Sequence, residues 1–124
     1  MNAADWLTRA QRSLGSARLL LETDPDAACS RAYYAMFYAA RAALLCAGQA
    51  EAAMSKTHSG MIAAFGEHLV KSGKIGTAHG RAFAQVERER LTADYTGDGV
   101  APDAAALALT RAEAFVAAVK ECAA

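Results

Sequence analysis

Proline occurs only twice in the 124 residues, and side chains branched at the β carbon are few, so nothing favours a strand-rich fold. Cysteine is scarce and unpatterned. Cys29, Cys46 and Cys122 are odd in number and lack CxxC spacing, which fits inert thiols in a reducing cytoplasm rather than a disulfide framework. Net charge is absent: thirteen basic side chains offset thirteen acidic ones, so bulk electrostatics make no case for nucleic acid, although a local patch stays open. The first residues, MNAADWLTRAQ, carry an acid and no long apolar run, unlike a signal peptide. Even the most apolar stretch, residues 27–47, holds Arg41 near its middle, which argues against a membrane span. Catalytic signatures are missing as well. His58, His68 and His79 form no HExxH or i, i+4 pair, and there is no inward ExxH set, phosphate-binding glycine loop or GxSxG elbow. No metal and no cofactor are therefore expected.

What remains is rich in alanine and leucine, and 54% of the chain is hydrophobic. Those residues propagate helices, and the length is that of one domain, 1–124, able to bury a real core. Periodicity predicts five helices. The first, 4–21, has an apolar face of Trp6, Leu7, Ala10, Leu14, Ala17, Leu20 and Leu21. Arg9, Arg12, Ser13, Ser16 and Arg18 form its polar side, where three arginines either bind phosphate or are simply solvated. The third helix, about 56–71, is expected to be capped by Ser55, with His58 in its first turn. The fourth, capped by Thr77 and ending near Tyr95, has a weaker stripe of Ala82, Phe83, Val86 and Leu91 around the charged run Glu87–Arg90. The fifth runs from Pro102-Asp103 to about Cys122 on Ala106, Leu109, Ala112, Phe115, Val116 and Val119. Short loops between them specify an all-α fold, an antiparallel up-and-down bundle of four to five helices.

The second helix organises the rest. Asp24 reads as its N-cap, Pro25 as its first residue and Gly48 as its stop. It carries only two charges within 27–47, Arg31 and Arg41, and four rings, Tyr33, Tyr34, Phe37 and Tyr38. A helix apolar nearly all round is buried by other helices or at a subunit contact. Arg31 lies three residues before Tyr34 and points to the side of Tyr34 and Tyr38. A buried guanidinium without a partner costs several kcal/mol, so Arg31 is expected to meet a carboxylate from elsewhere in the fold, namely Asp94. Asp94 also stands four residues after Arg90, the spacing of a surface ion pair.

Three segments, SRAYYAMFYAARAALLCAG, KTHSGMIAAFGEHLVKSGKI and RLTADY, together resemble the small stand-alone prokaryotic branch of the HEPN family, over about residues 5–120. The resemblance implies a helical bundle, often a homodimer, commonly encoded beside a minimal nucleotidyltransferase as a two-gene, toxin–antitoxin-like module. In many members an RxxxxH-type motif on a late helix makes a metal-independent ribonuclease whose cleft is assembled across the dimer. Here Arg90 matches the arginine, but the residue five positions on is Tyr95. A tyrosine ionises near pH 10, against about 6.5 for histidine, so it is a poor base at neutral pH.

Two readings follow from these residues. In one, Arg31, Tyr34, His58 and Asp94 join Arg90 and Tyr95 to hold a nucleotide, an RNA or a nucleotidyltransferase partner, the arginines gripping phosphate. In the other, Arg90 and Tyr95, with His58 in support, are catalytic groups of an RNA-cleaving toxin. The same set also has plainer explanations. Asp94 pairs with Arg31, Tyr95 packs on the second helix, and His58 bonds within its own first turn. A dimeric adaptor without catalysis is the third alternative.

Overall fold

The computed structural model describes residues 1–124, all helix and connecting turns. Helix α1 spans Ala3–Leu20, α2 Pro25–Cys46, α3 Ala50–Ala53, α4 His58–Phe65, α5 Thr77–Thr96 and α6 Pro102–Ala123. One turn of π-helix, Gly66–Val70, extends α4. The four-to-five-helix all-α bundle is realised, with α3 a single extra turn inside the expected 48–56 loop. No helix is long and apolar enough to cross a membrane.

Local chemistry explains most of the boundaries. Asn2 and Asp5 close a reciprocal capping box at the start of α1. Asp24 accepts from the Ala27 backbone N–H and Pro25 opens α2. Two expected caps are displaced. Thr57, not Ser55, caps α4, its hydroxyl accepting from the Gly60 N–H. A β carbon at Gly60 would clash with the Ser55 and Thr57 hydroxyls, so the glycine is what lets both side chains crowd this turn. At α5 the cap position is Gly76, with Thr77 already helical and no side chain capping. Gly97, at φ +74°, ends that helix in the left-handed region where glycine is unstrained.

Helix α2 is central because it touches every other element: α1 and α6 along their lengths, and α3, α4, the π turn and α5 at their inner faces. Its small residues Ala28, Ala32, Ala35, Ala39, Ala40, Ala42 and Ala43 are all buried, which permits close helix approach on several sides. The largest fully buried side chains, Tyr33, Phe65, Phe83 and Phe115, meet in one aromatic cluster between α2, α4, α5 and α6.

Several face assignments change. Ser13 is buried rather than solvated, because its hydroxyl donates to the Arg31 carbonyl at 2.7 Å and ties α1 to α2. Leu91 is exposed, and Glu87 takes the inward place instead. On α6 the inner positions are Ala105 and Ala108, with Ala106 only half-buried.

Cys29 lies fully inside α2, and burial, followed by the charge of Glu89, raises its thiol from 9.0 to about 11. A folded-state value above the unfolded one gives a contribution present below pH 9 and lost as pH rises towards 11. Urea unfolding should therefore weaken by about 1.4 kcal/mol per pH unit from this group across that window, a slope removed in Cys29→Ser. Alkylation near pH 8 should label the exposed Cys46 and Cys122 quickly and Cys29 only on unfolding. A third fast thiol would contradict this packing.

Candidate functional site

Successive turns of α5 place Phe83, Val86, Glu87, Arg90 and Asp94 along one face towards α2. Glu87 receives three hydrogen bonds from Arg90. Nε donates to Oε2 at 3.1 Å, and Nη2 donates to Oε1 at 2.9 Å and to Oε2 at 3.0 Å. The two side chains are only 13% and 8% exposed, so this is a nearly dry, two-pronged pair. It lays the guanidinium over two rings of α2, 4.8 Å from the centre of Tyr33 and 5.6 Å from that of Tyr34.

Tyr33 is the hub. Its ring is fully buried, and its hydroxyl shares a 2.7 Å hydrogen bond with His58 Nδ1 at the start of α4. Burial first, then the Glu87 carboxylate, pushes its ionisation well above the ordinary tyrosine range. The hydroxyl therefore keeps its proton, and the direction of its bond with Nδ1 follows the His58 tautomer. Tyr33, Tyr34 and Phe37 surround His58 with ring centres 5.3, 5.9 and 5.4 Å away. His58 and Glu87 also line one surface groove with Ile62, Ala63 and Leu91, about 560 Å³ in volume.

Of the candidates drawn from the sequence, His58, Tyr34, Arg90 and Asp94 stand together at this place. Arg31 joins them through Tyr34, its guanidinium 5.0 Å from that ring's centre. Three expectations are corrected. Arg31 has no ion pair; Asp94 instead faces Arg90 Nη1 at 3.7 Å, because residues four apart on one helix need no second helix in register. Tyr95 does not pack on α2. It is 91% exposed in the last turn of α5, one residue past the inward face. His58 bonds to Tyr33 rather than within its own turn, where Thr57 already serves the free N–H of Gly60.

The missed residues are Glu87 and Tyr33. A signal for Glu87 existed: it stands four after Phe83 and three before Arg90, the continuation of the apolar stripe. No group of three or more His, Cys, Asp or Glu side chains converges closely enough to hold a metal ion.

A family model described as the HEPN domain matches residues 3–122. The chain belongs to the HEPN family. Relatives include a UPF0332 protein of Gloeobacter violaceus, 44% identical over 94 residues, which are 75% of this chain and 71% of that protein. A UPF0332 protein of Thermotoga maritima is 40% identical over 91 residues, 73% of this chain and 66% of its own length. A protein of Methanocaldococcus jannaschii bearing the name "Putative toxin MJ0605" is 34% identical over 113 residues, 90% of this chain and 81% of that one. In this HEPN chain the arginine of the late helix is thus held by a glutamate one turn earlier, and the nearest imidazole comes from α4.

Proposed function

We propose that the protein is the nucleotide- or RNA-binding component of a toxin-like two-gene module, with a homodimer as its working form and a nucleotidyltransferase as its partner. One observation carries the binding part. Glu87 occupies Nε and Nη2 of Arg90, while Nη1 makes no hydrogen bond and has only the 69% exposed Asp94 nearby. A guanidinium fixed in this way can accept a phosphate on its open edge with little loss of side-chain freedom. Tyr34 and His58 stand beside it to contact sugar or base. The family membership and the name of the M. jannaschii relative support the toxin-like setting.

A second reading, metal-independent RNA cleavage, is favoured by His58 and Arg90 both lying on Tyr33 and Tyr34. In it His58 exchanges a proton with the ribose hydroxyl and Arg90 stabilises the pentacoordinate phosphate. Tyr95, exposed and outside this cluster, plays no part in that arrangement.

The test uses labelled single-stranded RNA with excess chelator. Anisotropy reports binding and a denaturing gel reports cleavage. Wild-type protein should bind, and Arg90→Gln should bind at least about tenfold more weakly, the value of one charge-assisted contact. Cleavage that vanishes in both Arg90→Gln and His58→Ala would establish the second reading. Wild-type protein that binds neither RNA nor nucleotide at low salt would refute the proposal.

A further inference from the structure

We propose that Arg9, Arg12 and Arg31 form a phosphate-binding cleft between α1 and α2, separate from the Arg90 edge and joined to it through Tyr34. This rests on the nucleotide- or RNA-binding reading above and places a second contact for the same ligand. The cleft is about 260 Å³ and is lined by those three arginines with Ser13, Ser16 and Tyr38. No acidic side chain lines it.

None of the three guanidinia has a carboxylate within ion-pair distance, and what sets them apart from other unpaired cations is that the three line one cleft. The cations in salt bridges are Arg18, Lys71, Arg90 and Arg111. Arg18, on the same helix, is matched by Glu113 of α6 at 3.0 Å. Asp5, the acid nearest Arg9 along α1, is engaged in the capping box, where it accepts from the Asn2 N–H. With thirteen charges of each sign, the cluster is not an overflow of basic residues. Like charges gathered without counter-charge oppose folding, and a bound anion relieves that.

The arginines are also positioned. Arg9 lies over Tyr38 and Trp6, at 5.2 and 5.7 Å from their ring centres, and Arg31 lies over Tyr34. The Ser13 hydroxyl on the Arg31 carbonyl sets the register between the two helices at this point. Behind Trp6 stands Arg41, 4.7 Å from the ring centre, its Nε and Nη2 donating to the Ala53 and Ser55 carbonyls. Burial and the nearby Arg9 charge weaken Arg41's hold on its proton, against a favourable effect of Tyr38.

This composition selects phosphate over other ligands. Small-molecule pockets are usually larger and mostly apolar. Trp6 is buried, and Trp6 and Tyr38 stack on one another and under Arg9, so no ring is free to take a base. The cleft therefore reads charge and not base identity. Tyr34 lies beneath both Arg31 and Arg90, which puts the two anion contacts on one path across α2. A phosphodiester backbone and the phosphates of a free nucleotide present the same chemistry to it.

The experiment titrates labelled single-stranded RNA, with ATP and pyrophosphate as competitors, against Arg12→Gln, Arg9→Gln/Arg12→Gln, Arg18→Gln and Arg90→Gln. Thermal melting verifies folding, and Arg12→Gln, whose side chain stacks on no ring, guards against loss of the Trp6 stack. Arg12→Gln should weaken RNA binding about tenfold and the double variant further. The double variant should also lower the salt slope by about 1.4, two contacts at about 0.7 each for a single strand. Arg18→Gln removes the same charge outside the cleft and should change binding less than about twofold. Displacement by ATP or pyrophosphate marks a terminal-phosphate site, and resistance to both marks a backbone site; each supports the cleft. If folded Arg12→Gln and the double variant bind like Arg18→Gln while Arg90→Gln binds weakly, the cleft proposal is wrong and the Arg90 reading survives. If wild-type protein binds no probe, the underlying functional reading fails first.

Discussion

Glu87→Ala is expected to destabilise the protein by about 3 kcal/mol, because it strands the Arg90 guanidinium in a nearly dry site. Glu87 supplies all three of Arg90's hydrogen bonds, and the remaining acid, Asp94, is 3.7 Å off and mostly in water. Arg90 has some escape towards the surface, which keeps the loss at the low end of the range for broken buried pairs. Replacing both partners, Glu87→Leu with Arg90→Leu, should restore most of the stability while weakening RNA binding at least about tenfold, since an apolar pair of similar size carries no desolvation cost. Urea midpoints for the two single variants and the pair give the coupling directly. A loss below about 1 kcal/mol in Glu87→Ala would mean that the pair behaves as a surface bridge and that Arg90 is not held. The same variant should weaken RNA binding even though it removes a negative charge, because it releases the arginine from its fixed position.

Phe83→Ala should cost about 4 kcal/mol, near the middle of the range for a buried phenylalanine. Its ring is fully buried and its centre lies 5.9 Å from Tyr33, 5.8 Å from Phe65 and 5.2 Å from Phe115. One side chain thus joins α5 to α2, α4 and α6, and edge or stacked ring contacts add to the area buried. Helix α5 has little else to hold it: its other buried side chains are Val86 and the charged Glu87. The cavity would open beside Tyr33, so the His58 contact should loosen as well. Chemical unfolding measures the cost, and the His58 imidazole resonances report the local effect. Leu19→Ala serves as the comparison, 83% exposed and expected to change stability by less than about 0.5 kcal/mol. Equal losses in the two variants would contradict the assigned core.

Helix identity was legible because it is written locally. Asp24-Pro25 starts α2 through bonds and dihedrals within a few residues, and Gly48, Gly73 and Gly97 mark stops by adopting positive φ. Cap choice between Ser55 and Thr57 was less legible, since two hydroxyls two residues apart offer equivalent chemistry until Gly60 closes against them. From sequence Glu87 is only one member of a charged run, because a carboxylate's burial depends on a partner and Arg90 carries a different role there. The likeness of the SRAYYAMF, KTHSG and RLTADY segments to HEPN chains drew on several helices at once, and the family match over residues 3–122 agrees with it.

The sequence by itself determined that the chain is helical, that the alanine-rich segment with Arg31 and its tyrosines is the centre of the bundle, and that a tyrosine, Tyr95, stands five residues after Arg90. Tertiary structure alone decided the partners. Asp94 went to Arg90, Arg31 went to Tyr34 and the α1 arginines, Tyr33 went to His58, and Tyr95 was left in water. The physical reason is that periodicity fixes which residues share a face of one helix, whereas contacts between helices depend on rotation and axial offset. Those are set by the packing of Phe65, Phe83 and Phe115 around α2 and by the Ser13 bond to the Arg31 carbonyl, which no single helix encodes.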